Sequence, residues 1–138
     1  MAYWLFKSEP DAWSWDDQVG RGGPQEWDGV RNYAARLHMR AMKKGDLGFF
    51  YHSGSERRIV GIVRVAAEAH ADSTTDDERW ECVDIEAVKP LPEPVTLEAV
   101  KADKRLADMA LVRIGRLSVQ PVTNDQWRIV CAMGGVKA

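Results

Sequence analysis

A chain of 138 residues with 45% apolar and 29% charged side chains has the composition of one compact domain, which excludes disordered, collagenous and membrane-embedded classes. With 19 basic against 21 acidic residues the net charge is −2, so a uniformly basic coat for nucleic acid is excluded and any such binding has to be local. A single domain over residues 1–138, with one core, is expected; a chain of this length buries about 68% of the surface its unfolded form exposes.

Taken in chain order, AYWLFK reads as a strand, because aromatic and branched side chains favour a pleated surface, and Ser8-Glu9-Pro10 ends it. No basic segment precedes those apolar residues and no apolar run approaches a membrane span, so the expectation is a protein of the reducing cytoplasm that does not enter the membrane. Ser14 with Asp17 three residues on predicts a capped short helix, followed by a loop at GRGGP, residues 20–24.

Asn32 to Met42 has helix-forming chemistry, with Tyr33, Leu37 and Ala41 as an apolar stripe and Lys43-Lys44-Gly45 at its end. LGFFYHS and RIVGIVRVAAEAH are predicted to pair as a hairpin across GSERR. DSTTDDE is a polar loop, and WECVDIEAVKPL alternates as a third core strand with Val83, Ile85 and Ala87 on one side. Pro90, Pro92 and Pro94 are expected to exclude regular structure. Thr96 caps a short helix, LSVQPV is a last strand, and a Thr123/Gln126 capping box opens a helix that stops at Gly134-Gly135. The sum is an α+β chain of five or six mostly antiparallel strands, curled on themselves into a small barrel with helices outside.

Catalytic signatures are sparse. His38, His52 and His70 have no metal-ligand spacing, Cys82 and Cys131 lie far apart in apolar settings that suit buried free thiols, and GRGG lacks the context of a phosphate loop, so no metal and no cofactor are expected. Asp16-Asp17 suits a helix N-terminus better than a paired-carboxylate site. Arg36, Arg40, Lys43 and Lys44, by contrast, fall at helical neighbour spacing with no acid between Arg31 and Lys44. That ridge is either a solvated helix face or a phosphate contact. Beside it stand Trp27, Asn32 and, across the hairpin, Tyr51, His52 and Ser53, the ring-plus-polar chemistry of a pocket for a flat heterocycle. Trp27 reads equally as a stacking wall and as core filler.

Several strings resemble the EVE domain family in order along nearly the whole chain: YWLFKSEP at 3–10, WDGVRNYAAR at 27–36, MKKGDLGFFYHS at 42–53, IVGIVRV at 59–65 and LVRIGRLSVQPV at 111–122. The resemblance implies a PUA-like fold, a small curved β-barrel with flanking helices, kinship with YTH domains, and a non-catalytic reader of a modified base, a modified cytosine in DNA or else a methylated RNA base. It places the ligand site on Lys7, Ser8, Trp27, Val30, Arg31, Asn32, Tyr51, His52 and Ser53, with Arg113, Leu117 and Ser118 at the rim. Trp27 would stack on the base, Asn32 and Ser8 would bond its polar edge, and Arg31, Arg36, Arg40, Lys43 and Lys44 would meet phosphates. The partner implied is nucleic acid, and a monomer is expected because no long apolar stripe is left over. Two other classes stay open: a small enzyme working on a nucleotide near His52, and a protein-interaction module.

Overall fold

A computed structural model describes all of residues 1–138. Six strands form one sheet in the order β2-β5-β4-β3-β1-β6: β1 Tyr3–Ser8, β2 Gln25–Glu26, β3 Leu47–His52, β4 Arg58–Ala71, β5 Glu81–Thr96 and β6 Val119–Val122. All neighbours are antiparallel except β1 and β3, which run parallel with Lys7 opposite Tyr51 and Ser8 opposite His52. The expected hairpin is β3–β4. The sheet does not close into a barrel, because β2 and β6 stand at opposite edges with no ladder between them. Five helices flank it: α1 Trp15–Arg21, α2 Tyr33–Ala41, α3 Leu97–Ala102, α4 Ala110–Arg113 and α5 Asn124–Met133. None is long and apolar enough to cross a membrane.

Strand alternation divides the core into two layers. Trp4, Phe6, Phe50, Val63, Val65, Val83 and Ile85 face one way and pack on Trp15, Trp27, Ala35 and Met39. Leu5, Phe49, Tyr51, Ile59 and Ile62 face the other way and pack on Val100, Leu106, Trp127 and Val130. The helix starts obey the predicted chemistry at Ser14/Asp17 and Thr123/Gln126, which are complete capping boxes, and at Thr96, which caps α3; Asn32, expected inside α2, caps it instead with its side-chain oxygen.

Two further expectations fail here for physical reasons. The proline-rich stretch is strand, not loop: β5 continues through Pro90, Pro92 and Pro94 to Thr96. β2 covers β5 only at Asp84 and Ile85, so the outer edge beyond has no strand that needs a ladder donor, and proline is tolerated at such an edge. The buried face of α2 is Ala35 and Met39 rather than Tyr33, Leu37 and Ala41; Tyr33 and Leu37 are more than half exposed.

Gly61 sets how closely α1 approaches the sheet. A Cβ there would lie 2.6 Å from the Trp15 ring, which packs edge-on to Phe50 at 5.5 Å between centroids. Gly61→Ala therefore has to displace Trp15, and it should destabilise the fold by about 1–3 kcal/mol in urea unfolding with an unchanged m-value.

Candidate nucleic-acid interface

The last residues of β1 and the chain from β2 to α2 enclose a depression of about 570 Å³, within the roughly 300–1,000 Å³ usual for small-ligand sites. Lys7, Ser8, Trp27, Val30, Arg31 and Ser118 line it, as do Glu9, Trp13, Gln25, Glu26, Asp28 and Gly29. Trp27 answers to both of its readings. It is only 8% exposed and lies edge-on to Phe6 and Phe50 at 5.5 and 5.6 Å, yet it forms part of the wall. Trp13, half-buried with its indole nitrogen donating to Gln18 at 2.9 Å, supplies a second ring.

One carboxylate shapes the loop between Trp27 and Asn32. Asp72, buried at the end of β4, accepts from Gly29 N at 2.9 Å, from Arg31 Nη1 at 3.0 Å and from Thr74 N at 2.8 Å. Burial by itself pushes this carboxyl up, but bonds from Thr74, Gly29 and Arg31 outweigh it and hold the pKa at about 2. Gly29 sits at φ +77°, a backbone conformation that glycine adopts without strain.

The polar groups differ in what they have left to offer. Ser8 Oγ donates its proton to Trp13 O at 2.6 Å, which leaves the hydroxyl able only to accept. Asp28 takes no hydrogen bond from the protein, and its pKa is raised, first by burial and then by the charges of Asp72 and Glu26, against the pull of Arg31. Asn32 does not line the depression: its oxygen caps α2, accepting from Ala35 N at 2.9 Å.

The remaining predicted residues separate from this depression. Tyr51 and Ser53 line a smaller hollow of about 260 Å³ with Arg57, Lys101 and Leu111, since Tyr51 points to the other face of the sheet from Phe50. Lys7 borders both hollows, reaching Gly115 O at 2.6 Å and lying 5.6 Å above the Tyr51 ring; burial lowers its pKa. His52 is a structural residue: Nε2 accepts from Trp15 N at 2.9 Å, which puts the proton on Nδ1, 2.9 Å from Glu56 Oε1. Leu117 is core, and Arg113 is bound to Ala107 O and Asp108 away from both hollows.

The ridge on α2 is partly neutralised. Arg40 is paired with Glu81, and Arg36 donates to Arg79 O at 2.6 Å while its guanidinium lies 4.9 Å from the Tyr33 ring. Lys43 and Lys44 are exposed and form no ion pair. Pairs as exposed as Arg40–Glu81 hold about 0–1 kcal/mol, so an arriving phosphate competes with them on near-equal terms.

The EVE domain family model matches residues 2–133. The chain belongs to the EVE domain family. A structure from Agrobacterium tumefaciens is 55% identical with a TM-score of 0.97, covering 99% of this chain and 94% of that one. Human THYN1, solved in complex with DNA containing 5-methylcytosine, is 30% identical with a TM-score of 0.93 and complete coverage of both chains. A YTH domain of Zygosaccharomyces rouxii MRB1, solved with N6-methyladenosine RNA, is 13% identical with a TM-score of 0.58, covering 99% of this chain and 87% of that one, a likeness of fold.

Sequence reasoning missed Trp13 and Asp28. The signal for both was local: Trp13 follows directly on the KSEP string, and Asp28 sits inside WDGVRN beside a tryptophan already singled out. Replacing Asp72 with Ala strips the loop of its anchor and removes charge-assisted hydrogen bonds from Gly29, Thr74 and Arg31, so Asp72→Ala should cost roughly 1.5–3 kcal/mol in chemical denaturation. Because its folded pKa is depressed, the contribution of Asp72 is present above about pH 4 and is lost as pH falls toward about 2 in the wild type, whereas the variant's stability should lack that component.

Proposed function

We propose that this chain is a non-catalytic reader of a modified base, with a cytosine methylated at C5 in DNA as its ligand class. The carrying observation is the depression lined by Trp13 and Trp27 in a chain that aligns end to end with the human THYN1 structure bound to 5-methylcytosine DNA. A base taken out of its stack needs a ring face to lie against and groups that read its polar edge. The indoles supply the face. Asp28 is an acceptor without a protein donor, the chemistry suited to the exocyclic amine of cytosine, and the Ser8 lone pairs are a second acceptor. Arg31, at the rim, and the exposed Lys43 and Lys44 on the α2 side are the groups for flanking phosphates, with Arg36 and Arg40 available once their present partners are displaced.

A reader is favoured over an enzyme because His52, the residue an enzymatic reading depends on, has both ring nitrogens occupied within the fold. A net charge of −2 agrees with this division of labour: local cations set the register, and discrimination is left to the pocket.

The test is a tryptophan-fluorescence titration with DNA and RNA oligonucleotides that differ only in one methylated cytosine or adenine, at two salt concentrations. The expected result is a preference for the methylated cytosine that survives the higher salt. Asp28→Asn should weaken that complex by about tenfold or more, equivalent to the roughly 1–3 kcal/mol of a specific base contact. Replacing Lys43 and Lys44 with Ala should instead lower affinity for methylated and unmethylated strands alike and reduce the salt slope by up to about 2. Binding that ignores methylation in every oligonucleotide contradicts the reading, and a preference for methylated adenine in RNA moves the ligand class from DNA to RNA.

A further inference from the structure

Beneath the loop that carries Trp27, three strands bring together side chains that lie far apart in sequence. Glu26 closes β2 opposite Asp84 of β5, and His70 of β4 lies opposite Cys82 of β5. The ligand atoms of Glu26, His70 and Cys82 all fall within 4.8 Å of one another. Cys82 Sγ is 3.4 Å from Glu26 Oε1, and His70 Nε2 is 2.8 Å from Asp84 Oδ1. On the far side of the ring, His70 Nδ1 is 3.0 Å from Ala71 O. A proton on Nδ1 donates to that carbonyl, the orienting contact that metal-bound histidines ordinarily have, so Nε2 is the nitrogen that meets a metal once it gives up its proton and its hydrogen bond to Asp84.

We infer that Cys82 Sγ, His70 Nε2 and the Glu26 carboxylate hold one Zn²⁺ ion as three protein ligands, with a water completing the tetrahedron. Zinc–ligand bonds of about 2.0–2.3 Å place neighbouring ligand atoms about 3.3–3.8 Å apart, and the Cys82 Sγ–Glu26 Oε1 pair at 3.4 Å already has that spacing. A thiol and an imidazole beside carboxylates select a borderline-soft cation over Mg²⁺ or Ca²⁺. The thiol is otherwise poorly placed: burial raises its pKa, and the charges of Glu26, Asp72 and Asp84 raise it further. A dication reverses that penalty. As the Zn–S bond forms, the S–H proton passes to solvent; the Nε2 proton that His70 shares with Asp84 also passes to solvent as the Zn–N bond replaces that hydrogen bond, and no electron is transferred. Glu26 immediately precedes Trp27, so the bound ion ties β2 to β4 and β5 directly behind the pocket wall. The site stands independently of the base-reading proposal, because its geometry needs no nucleic acid.

The test uses the full chain, freed of metal by chelator and then titrated with Co²⁺ as an optical probe. The expected result is one equivalent bound, with the visible bands of a tetrahedral ion and a near-ultraviolet thiolate-to-cobalt charge-transfer band, both removed by one equivalent of Zn²⁺. Cys82→Ser should abolish the charge-transfer band, His70→Asn should weaken binding at least tenfold, and Cys131→Ser should change neither. Absence of the charge-transfer band in the wild-type protein, its persistence in Cys82→Ser, or undiminished affinity in His70→Asn each overturns the site. His70 is partly exposed, so its variant decides the matter alone if Cys82→Ser does not fold.

Discussion

The Phe50 ring, buried at the centre of β3, is the contact to which the whole interface is registered. Trp15, Trp27 and His52 all meet it edge-on, at 5.5, 5.6 and 5.7 Å between centroids. Each such pair contributes about 0.5–1.5 kcal/mol beyond simple burial and, more usefully, fixes an angle. Through Trp15 the ring positions α1 and hence Trp13; through Trp27 it positions the loop that ends in the Asn32 cap. Gly61 and His52 serve the same arrangement, one by leaving room for Trp15 and the other by accepting its backbone proton.

A pocket wall built from core side chains has a consequence for recognition. Trp27 cannot swing to meet a ligand without disturbing Phe6 and Phe50, so its face is preorganised and ligand binding does not have to freeze it. The loop above it is held by charge rather than by packing. Asp72 gathers Gly29, Thr74 and Arg31, and this holds a rim cation beside the depression with its position already set. Lys43 and Lys44, just past the end of α2, have no such restraint, which suits contacts that supply affinity without sequence information.

Much of the fold was legible in the sequence because its signals are local. Capping residues at Ser14, Thr96 and Thr123 announce helix starts, apolar runs announce β3 and β4, and period-two alternation announces β5. What failed depended on neighbours. Whether Pro90 to Pro94 breaks a strand turns on how far β2 reaches along β5, and the inward face of α2 is decided by where Ala35 meets the sheet. The grouping of Tyr51, His52 and Ser53 in one site conflicts with strand alternation itself, which sends Tyr51 to the opposite layer and leaves His52 beside Phe50. The meeting of Glu26, His70 and Cys82 had no sequence signal, since each comes from a different strand and the spacing follows from register alone.

The proposed reading stands on ligand entry between the two indoles rather than on the basic helix. Its most direct measurement is the change in ¹H–¹⁵N spectra on adding an oligonucleotide with one 5-methylcytosine, because the indole N–H signals of the six tryptophans report separately on wall, core and surface. The largest shifts should fall on the indoles of Trp13 and Trp27 and on the amides of Gly29, Arg31 and Ser118, with Trp127, in the other layer, unmoved. Shifts confined to residues 36–44, with Trp13 and Trp27 unchanged, would contradict it.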